Sequence, residues 1–315
     1  MPNDWSPMVL SRAGRRVRPP YADVGRRPDA KAQRPVRVAL LGYGAINRRV
    51  AAMVRECLAG RVEIAAVARR HVVNASVPPG ARFLHDPAEL HDVRPDLVIE
   101  AVNREAVGEW GEAALGVPRA LIVCSTSAFT DQALLDRCRT VAANASSRLV
   151  ISPGSIAGTE ALAAAGLSGF GQLTHTIVKP PAGWRRTAAE GMVDLDALFR
   201  PTPFFTGSAR QAAELFPANA NVSVATALFC EHGLDATRVE LIADPHSTTN
   251  RHLIAGTGNF GSISVEVDSQ PFAENPRSSQ LAALAIVRLV GEEVAAAEQG
   301  RLRLDLEREP VVANL

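Results

Sequence analysis

The stretch ADPHSTTNRHLIAGTGNFG, residues 243–261, sets Asp244, His246, Asn250 and His252 beside a glycine-rich run. An imidazole titrates near neutral pH, so a histidine in such a place can pass a proton or hold a metal through a ring nitrogen. A metal would need a third and a fourth ligand converging on it, and the spacing of His246 and His252 matches neither an i,i+4 helical pair nor a zinc pattern. No metal site is expected. Asp-Pro at 244–245 opens a turn that leaves His246 exposed. His252 stands in an alternating, strand-like run, where it either satisfies a backbone carbonyl or serves as an acid–base group.

Other stretches carry different chemistry. GYGAIN, residues 42–47, follows an apolar run and opens a helical one, the context of the dinucleotide fingerprint G-x-G-x-x-G. Gly42 allows the tight turn, Gly44 lets backbone approach a pyrophosphate, and Ala45 and Ile46 begin a helix whose free N–H groups face the anion. Asn47 stands where the third glycine belongs, which predicts looser packing of helix on strand. The following strand ends in VARRH, with Arg69 and Arg70 where an acidic residue would grip a ribose 2′-hydroxyl. Two guanidiniums favour a 2′-phosphate, so the expected cofactor is NAD or NADP, with NADP favoured; solvated surface arginines are the alternative. Lys179, in VKPP, is either a cation for an acidic substrate held before a rigid Pro-Pro turn or a solvated strand end. Asn219 and Asn250 bond either substrate or neighbouring backbone. PGSIAG lacks the glycine two places before Ser155 that a nucleophile elbow requires, which argues against a serine hydrolase.

The elements that must position these residues alternate in a regular way. Short apolar runs at 36–42, 62–68, 95–102, 120–126 and 148–154 read as buried strands, with helices between them, so residues 36–153 form an α/β unit: a doubly wound parallel sheet with helices on both faces. The second half differs. Runs at 173–179, 237–244, 250–258 and 261–270 alternate with period two, as strands of a mixed or antiparallel sheet with one partly covered face do. Helices at 208–216 and 221–233 lie between them, and a long amphipathic helix from 280 to 297 is expected to pack back on the first unit. The expected domains are thus 36–153, completed by a C-terminal helix at about 276–315, and 154–275. Residues 1–35 are rich in Arg and Pro without apolar periodicity and read as a disordered extension.

Composition excludes several classes. Lys plus Arg number 34 against 33 Asp plus Glu, so no global field draws the chain to nucleic acid or an anionic membrane, and a small-molecule partner is expected. The four cysteines are scattered and read as reduced thiols. The start of the chain lacks the apolar stretch of a signal peptide, and no run is long enough to span a bilayer, so a cytoplasmic protein is expected.

Seven segments in order, LLGYGAIN, SPGSIAGTEAL, VKPPAGW, FTGSARQAAELFPANANVSVATAL, ADPHSTTNRHLI, GNFG and NPRSSQLAALAIVRLV, together resemble the L-aspartate dehydrogenase family. The resemblance implies a Rossmann-type nucleotide domain followed by an α/β (α+β) domain that supplies substrate residues and a homodimer contact. It implies that NAD(P) oxidises L-aspartate to iminoaspartate, which hydrolyses to oxaloacetate and ammonia or feeds pyridine-nucleotide synthesis. By the same resemblance His252 is catalytic, while Asn221 and Ser155 touch the nicotinamide end of the cofactor. Departures at Ser155, Asn103 and Leu253 keep open a related amino-acid dehydrogenase or imine reductase with another substrate. A nucleotide-binding sensor without catalysis is a further alternative.

Overall fold

The computed structural model describes residues 34–68 and 77–308. Arg69 and Arg70 lie outside the described residues, as does all of the expected disordered extension except its last two positions. Of those two, Arg34 is anchored: its guanidinium donates to both Asp96 carboxylate oxygens at 2.8 Å.

The first unit runs β1 (Val36–Leu41), α1 (Ala45–Cys57), β2 (Val62–Ala68), β3 (Arg82–Leu84), α2 (Leu90–Val93), β4 (Leu97–Glu100), α3 (Arg104–Gly116), β5 (Ala120–Val123), α4 (Gln132–Asn144) and β6 (Arg148–Ile151). All six strands pair in parallel, in the order β3-β2-β1-β4-β5-β6. Continuous apolar runs are what such strands need, because both faces of the sheet are covered. On one face Val107, Leu115, Leu134 and Leu135 of α3 and α4 pack on Leu41, Val98 and Leu121. On the other, Val50 and Val54 of α1 meet Leu40, Ile99 and Ile122. Strand order reverses between β1 and β4, which opens a crevice beyond their carboxyl ends.

The second unit contains α5 (Thr159–Ser168), β7 (Phe170–Lys179), β8 (Thr202–Ser208), α6 (Ala209–Leu215), α7 (Asn221–Phe229), β9 (Arg238–Ala243), β10 (Asn250–Gly258) and β11 (Gly261–Ser269). Its sheet runs β11-β10-β7-β9-β8, antiparallel except for the parallel pair β7–β9. Helices α5, α6 and α7 cover one face, with Leu162 against Leu173 and Ile254, and Ala212 and Val224 against Ile177 and Leu241. A short hairpin, β12 (Pro271–Phe272) and β13 (Asn275–Ser279), then leads into α8 (Gln280–Arg308). Helix α8 returns to the first unit, where Ile286, Val287 and Val290 join the cluster around Leu40 and Ile99.

Strand β3, helices α2 and α5, strand β8 and the β12–β13 hairpin stand where no strand or helix is read from the sequence. Strand β8 carries Pro203 at a register irregularity on the sheet edge, the position where a residue without an N–H is tolerated and where strand patterning is weakest. Among the described residues no helix is long and apolar enough to cross a membrane.

Candidate active site

A cleft of about 680 Å³ opens where the two units meet, lined from one side by Gly42, Gly44, Ala45 and Ile46 and from the other by Ser155, Lys179, Asn219, Asn221 and His252. The nucleotide end is built from backbone. Gly42 takes φ +79°, and a Cβ there would lie 2.4 Å from Val102 Cγ2, so a side chain is excluded on both counts. A Cβ on Gly44 would meet nothing within 4 Å; it would project into open space at the cleft wall. No side chain caps the start of α1 and no acidic residue occupies its first turn, which leaves the helix N–H groups for an anion. These features fit a dinucleotide pyrophosphate. Asn47 corrects the expectation of loose packing: fully buried, its Nδ2 donates to Leu41 O at 2.9 Å and Gly42 O at 2.8 Å, stitching helix to strand.

Behind the crevice wall, the buried Glu100 carboxyl group accepts from Val102 N at 2.7 Å and from Ser125 N and Oγ at 3.0 and 2.8 Å. It shapes the turn that faces Gly42.

The opposite end is built from side chains on paired strands. Alternation turns Asn250, His252 and Ile254 of β10 inward, and His175, Ile177 and Lys179 of β7 with them. In the antiparallel register His252 lies opposite Ile177, so its diagonal neighbours are His175 and Lys179. His252 Nδ1 is 3.2 Å from His175 Nε2, and His252 Nε2 is 2.9 Å from Ser155 Oγ, which arrives on the turn between β6 and α5. Burial first, then the neighbouring His175 and Lys179, whose cationic forms would repel a second positive charge, hold the His252 imidazole well below its ordinary range. Its neutral form is thereby favoured over the imidazolium.

Lys179 is also buried. Its Nζ donates to Arg277 O at 2.8 Å and lies 5.6 Å from the centre of the Trp184 ring. Burial, then the Arg277 charge, lowers its pKa to about 7. Arg277 lines the cleft beside it, giving that wall two cations.

Not every residue singled out in the sequence reaches the cleft. Asn221 Oδ1 accepts from Ser127 N at 2.9 Å, so its NH2 group is the end left for a ligand. Asn219 lines the cleft while its Nδ2 donates to Gly183 O at 2.8 Å. Asn250 is spent on backbone and hairpin, donating to Pro276 O and Ser279 Oγ at 3.2 Å, and does not line the cleft. His246 sits in the Asp-Pro turn, 3.1 Å from Phe199 O. Among the described residues no group of three His, Cys, Asp or Glu could hold a metal. Sequence reading misses His175, Thr226 and Arg277. The alternation in LTHTIVK does place His175 on the face of Lys179, but nothing local says that His252 pairs beside it.

A nucleotide crevice at the reversal point of a parallel sheet, faced by a buried imidazole and a lysine from a second sheet and by an arginine from the hairpin after it, defines an NAD(P)-dependent dehydrogenase of small acidic molecules. Comparison with known proteins narrows the class. Residues 160–292 match the family model "Aspartate dehydrogenase, C-terminal" and residues 42–152 match "Homoserine dehydrogenase, NAD binding domain". The chain is 42% identical over 259 residues to an L-aspartate dehydrogenase of Brucella anthropi, covering 82% of this chain and 96% of that one. It is 37% identical to one of Serratia proteamaculans, covering 80% and 95%. The fold also matches the crystal structure of aspartate dehydrogenase from Thermotoga maritima, with a TM-score of 0.62 at 24% identity, over 81% and 95% of the two chains. The chain belongs to the L-aspartate dehydrogenase family.

Proposed function

We infer that this chain oxidises L-aspartate at Cα with NAD(P)+, yielding iminoaspartate, which hydrolyses to oxaloacetate and ammonia or is consumed in pyridine-nucleotide synthesis. The observation that carries the reading is the position of His252 Nε2, buried and turned into the same cleft as Gly42 and Gly44. A nicotinamide held there would supply the hydride acceptor for the substrate carbon. The protein's own residues do the rest. The substrate ammonium must lose a proton, and His252 Nε2 receives it in place of the Ser155 hydroxyl. Lys179 and Arg277 hold the two carboxylates, Asn221 directs its NH2 to the nicotinamide end, and Ala45 and Ile46 present the helix N–H groups to the pyrophosphate.

The departures from the family pattern bear on substrate. Asn103 caps α3, accepting from Ala106 N at 2.9 Å, and does not line the cleft. Leu253 points to the opposite face of β10 from His252. Only Ser155 alters the pocket, and it does so by bonding the base. The test is a screen of amino acids with NAD+ and NADP+, followed by reduced-nicotinamide absorbance. Aspartate alone should support rapid turnover; faster oxidation of alanine or glutamate would overturn the reading.

The preference for NADP over NAD rests on Arg69 and Arg70, which follow β2 in the sequence. An NAD-favouring ratio of kcat/KM that Arg69→Ala leaves unchanged would remove it. The same proposal includes a cytoplasmic homodimer, whose mass light scattering measures.

A further inference from the structure

We propose that His175, backed by Thr226, is a positioning residue that holds His252 in the tautomer whose Nε2 lone pair faces the cleft. The inference rests on the reading of His252 as the proton acceptor. Behind the base runs an unbroken line of contacts: Ser155 Oγ to His252 Nε2 at 2.9 Å, His252 Nδ1 to His175 Nε2 at 3.2 Å, His175 Nδ1 to Thr226 Oγ1 at 3.0 Å, and Thr226 Oγ1 to Val222 O at 2.9 Å. Every side chain in the line from Ser155 to Thr226 is buried.

The line has a direction. Its last member is a backbone carbonyl, which only accepts. Thr226 therefore spends its hydroxyl proton on Val222 O and accepts from His175 Nδ1–H. His175 Nε2 is then the bare nitrogen and accepts from His252 Nδ1–H, which leaves Nε2 of His252 bare in turn, accepting from Ser155. One proton on each hydroxyl and each neutral imidazole serves one contact, and none is left unmade. In the opposite sense Thr226 would donate to His175, and the Thr226 and Val222 oxygens would face each other at 2.9 Å with no proton between them. A buried polar contact without its proton is costly, so the first sense prevails.

The arrangement does for His252 what a carboxylate does for the histidine of a hydrolytic triad, with a neutral group in the orienting role. Burial pushes the His175 pKa down to about 3, so it orients the base without competing for its proton. When His252 accepts the ammonium proton at Nε2, its Nδ1–H already points at the His175 lone pair, and no ring has to turn.

The test reads the tautomer directly. In long-range proton–nitrogen NMR spectra of the whole protein labelled at histidine nitrogen, His252 should show a protonated Nδ1 and a bare Nε2. His175→Leu removes the acceptor at similar volume; it should mix the tautomers and lower kcat by about tenfold or more while the KM of the cofactor stays within about twofold. His175→Gln returns an acceptor near the position of Nε2 and should keep kcat within about threefold of wild type. A wild-type His252 carrying its proton on Nε2 would overturn the proposal, as would Leu and Gln variants with equal kcat. If His175→Leu does not fold, the wild-type tautomer and the Gln variant still decide. Because the tautomer is observed without turnover, a protein that oxidises no amino acid would end the functional reading alone.

Discussion

The two ends of the cleft are built by opposite means. At the nucleotide end the cleft presents backbone: a left-handed glycine, a second glycine with open space beside it, and uncapped helix N–H groups, all within a few consecutive residues. At the opposite end it presents side chains drawn from β6–α5, β7, β10 and the hairpin before α8, brought together by strand register. A backbone site depends on conformation, so steric changes should damage it. A side-chain site depends on functional groups, so isosteric changes that remove one atom should suffice. That contrast can be broken by showing that damage at one end spreads to the other.

The largest expected effect on binding separates the ends most cleanly. Lys179→Met keeps the stem that packs on Trp184 and removes the charge, and should raise the KM for aspartate by about a hundredfold with cofactor affinity unchanged. Equal loss of both would mean that Lys179 supports the fold of the cleft. Next, Gly42→Ala forces a Cβ toward Val102 in a left-handed turn and should weaken cofactor binding by about tenfold, leaving the His252 tautomer as it was. Calorimetric titration with the cofactor checks it. Smaller still, Thr226→Val deletes the hydroxyl that receives from His175; kcat should fall by about threefold, and thermal stability should fall with it because the buried His175 Nδ1–H loses its acceptor.

The ends should also differ in their response to pH. Lys179, lowered to about 7, binds a carboxylate as a cation and loses that charge as pH rises, so the KM for aspartate should climb through about pH 7. The Lys179→Met variant should lose this dependence. Stability has its own sign. The buried His175 and His252 bind protons more readily unfolded than folded, so stability is complete above 6.5, the ordinary histidine value, and is lost as pH falls toward about 3. Urea unfolding at pH 7 and pH 5 measures it; a higher midpoint at pH 5 would contradict the burial of neutral imidazoles.

The same contrast explains what was legible in the sequence. GYGAIN announces itself because all its parts are contiguous, and the continuous apolar runs of β1, β4 and β5 report a sheet covered on both faces. His252 is legible through its segment. His175 is not, since LTHTIVK reads as any half-covered strand until β7 is paired with β10. Thr226 looks like one more small residue in a helical run; only its distance to His175 gives it a role. Asn250 shows the reverse: on the same strand as His252 it reads as a ligand, yet its amide donates to Pro276 O and Ser279 Oγ of the hairpin. Strands β8 and β13 escaped for a physical reason. Both lie at edges, carry proline, and bury too little to impose alternation.

The most direct test of the central claim is chemical rescue of His252→Ala. Turnover of aspartate should fall by about a thousandfold while cofactor binding survives, and added imidazole should restore part of it in proportion to its concentration. A His252→Ala protein that oxidises aspartate at the wild-type rate without imidazole would show that the proton leaves by another route.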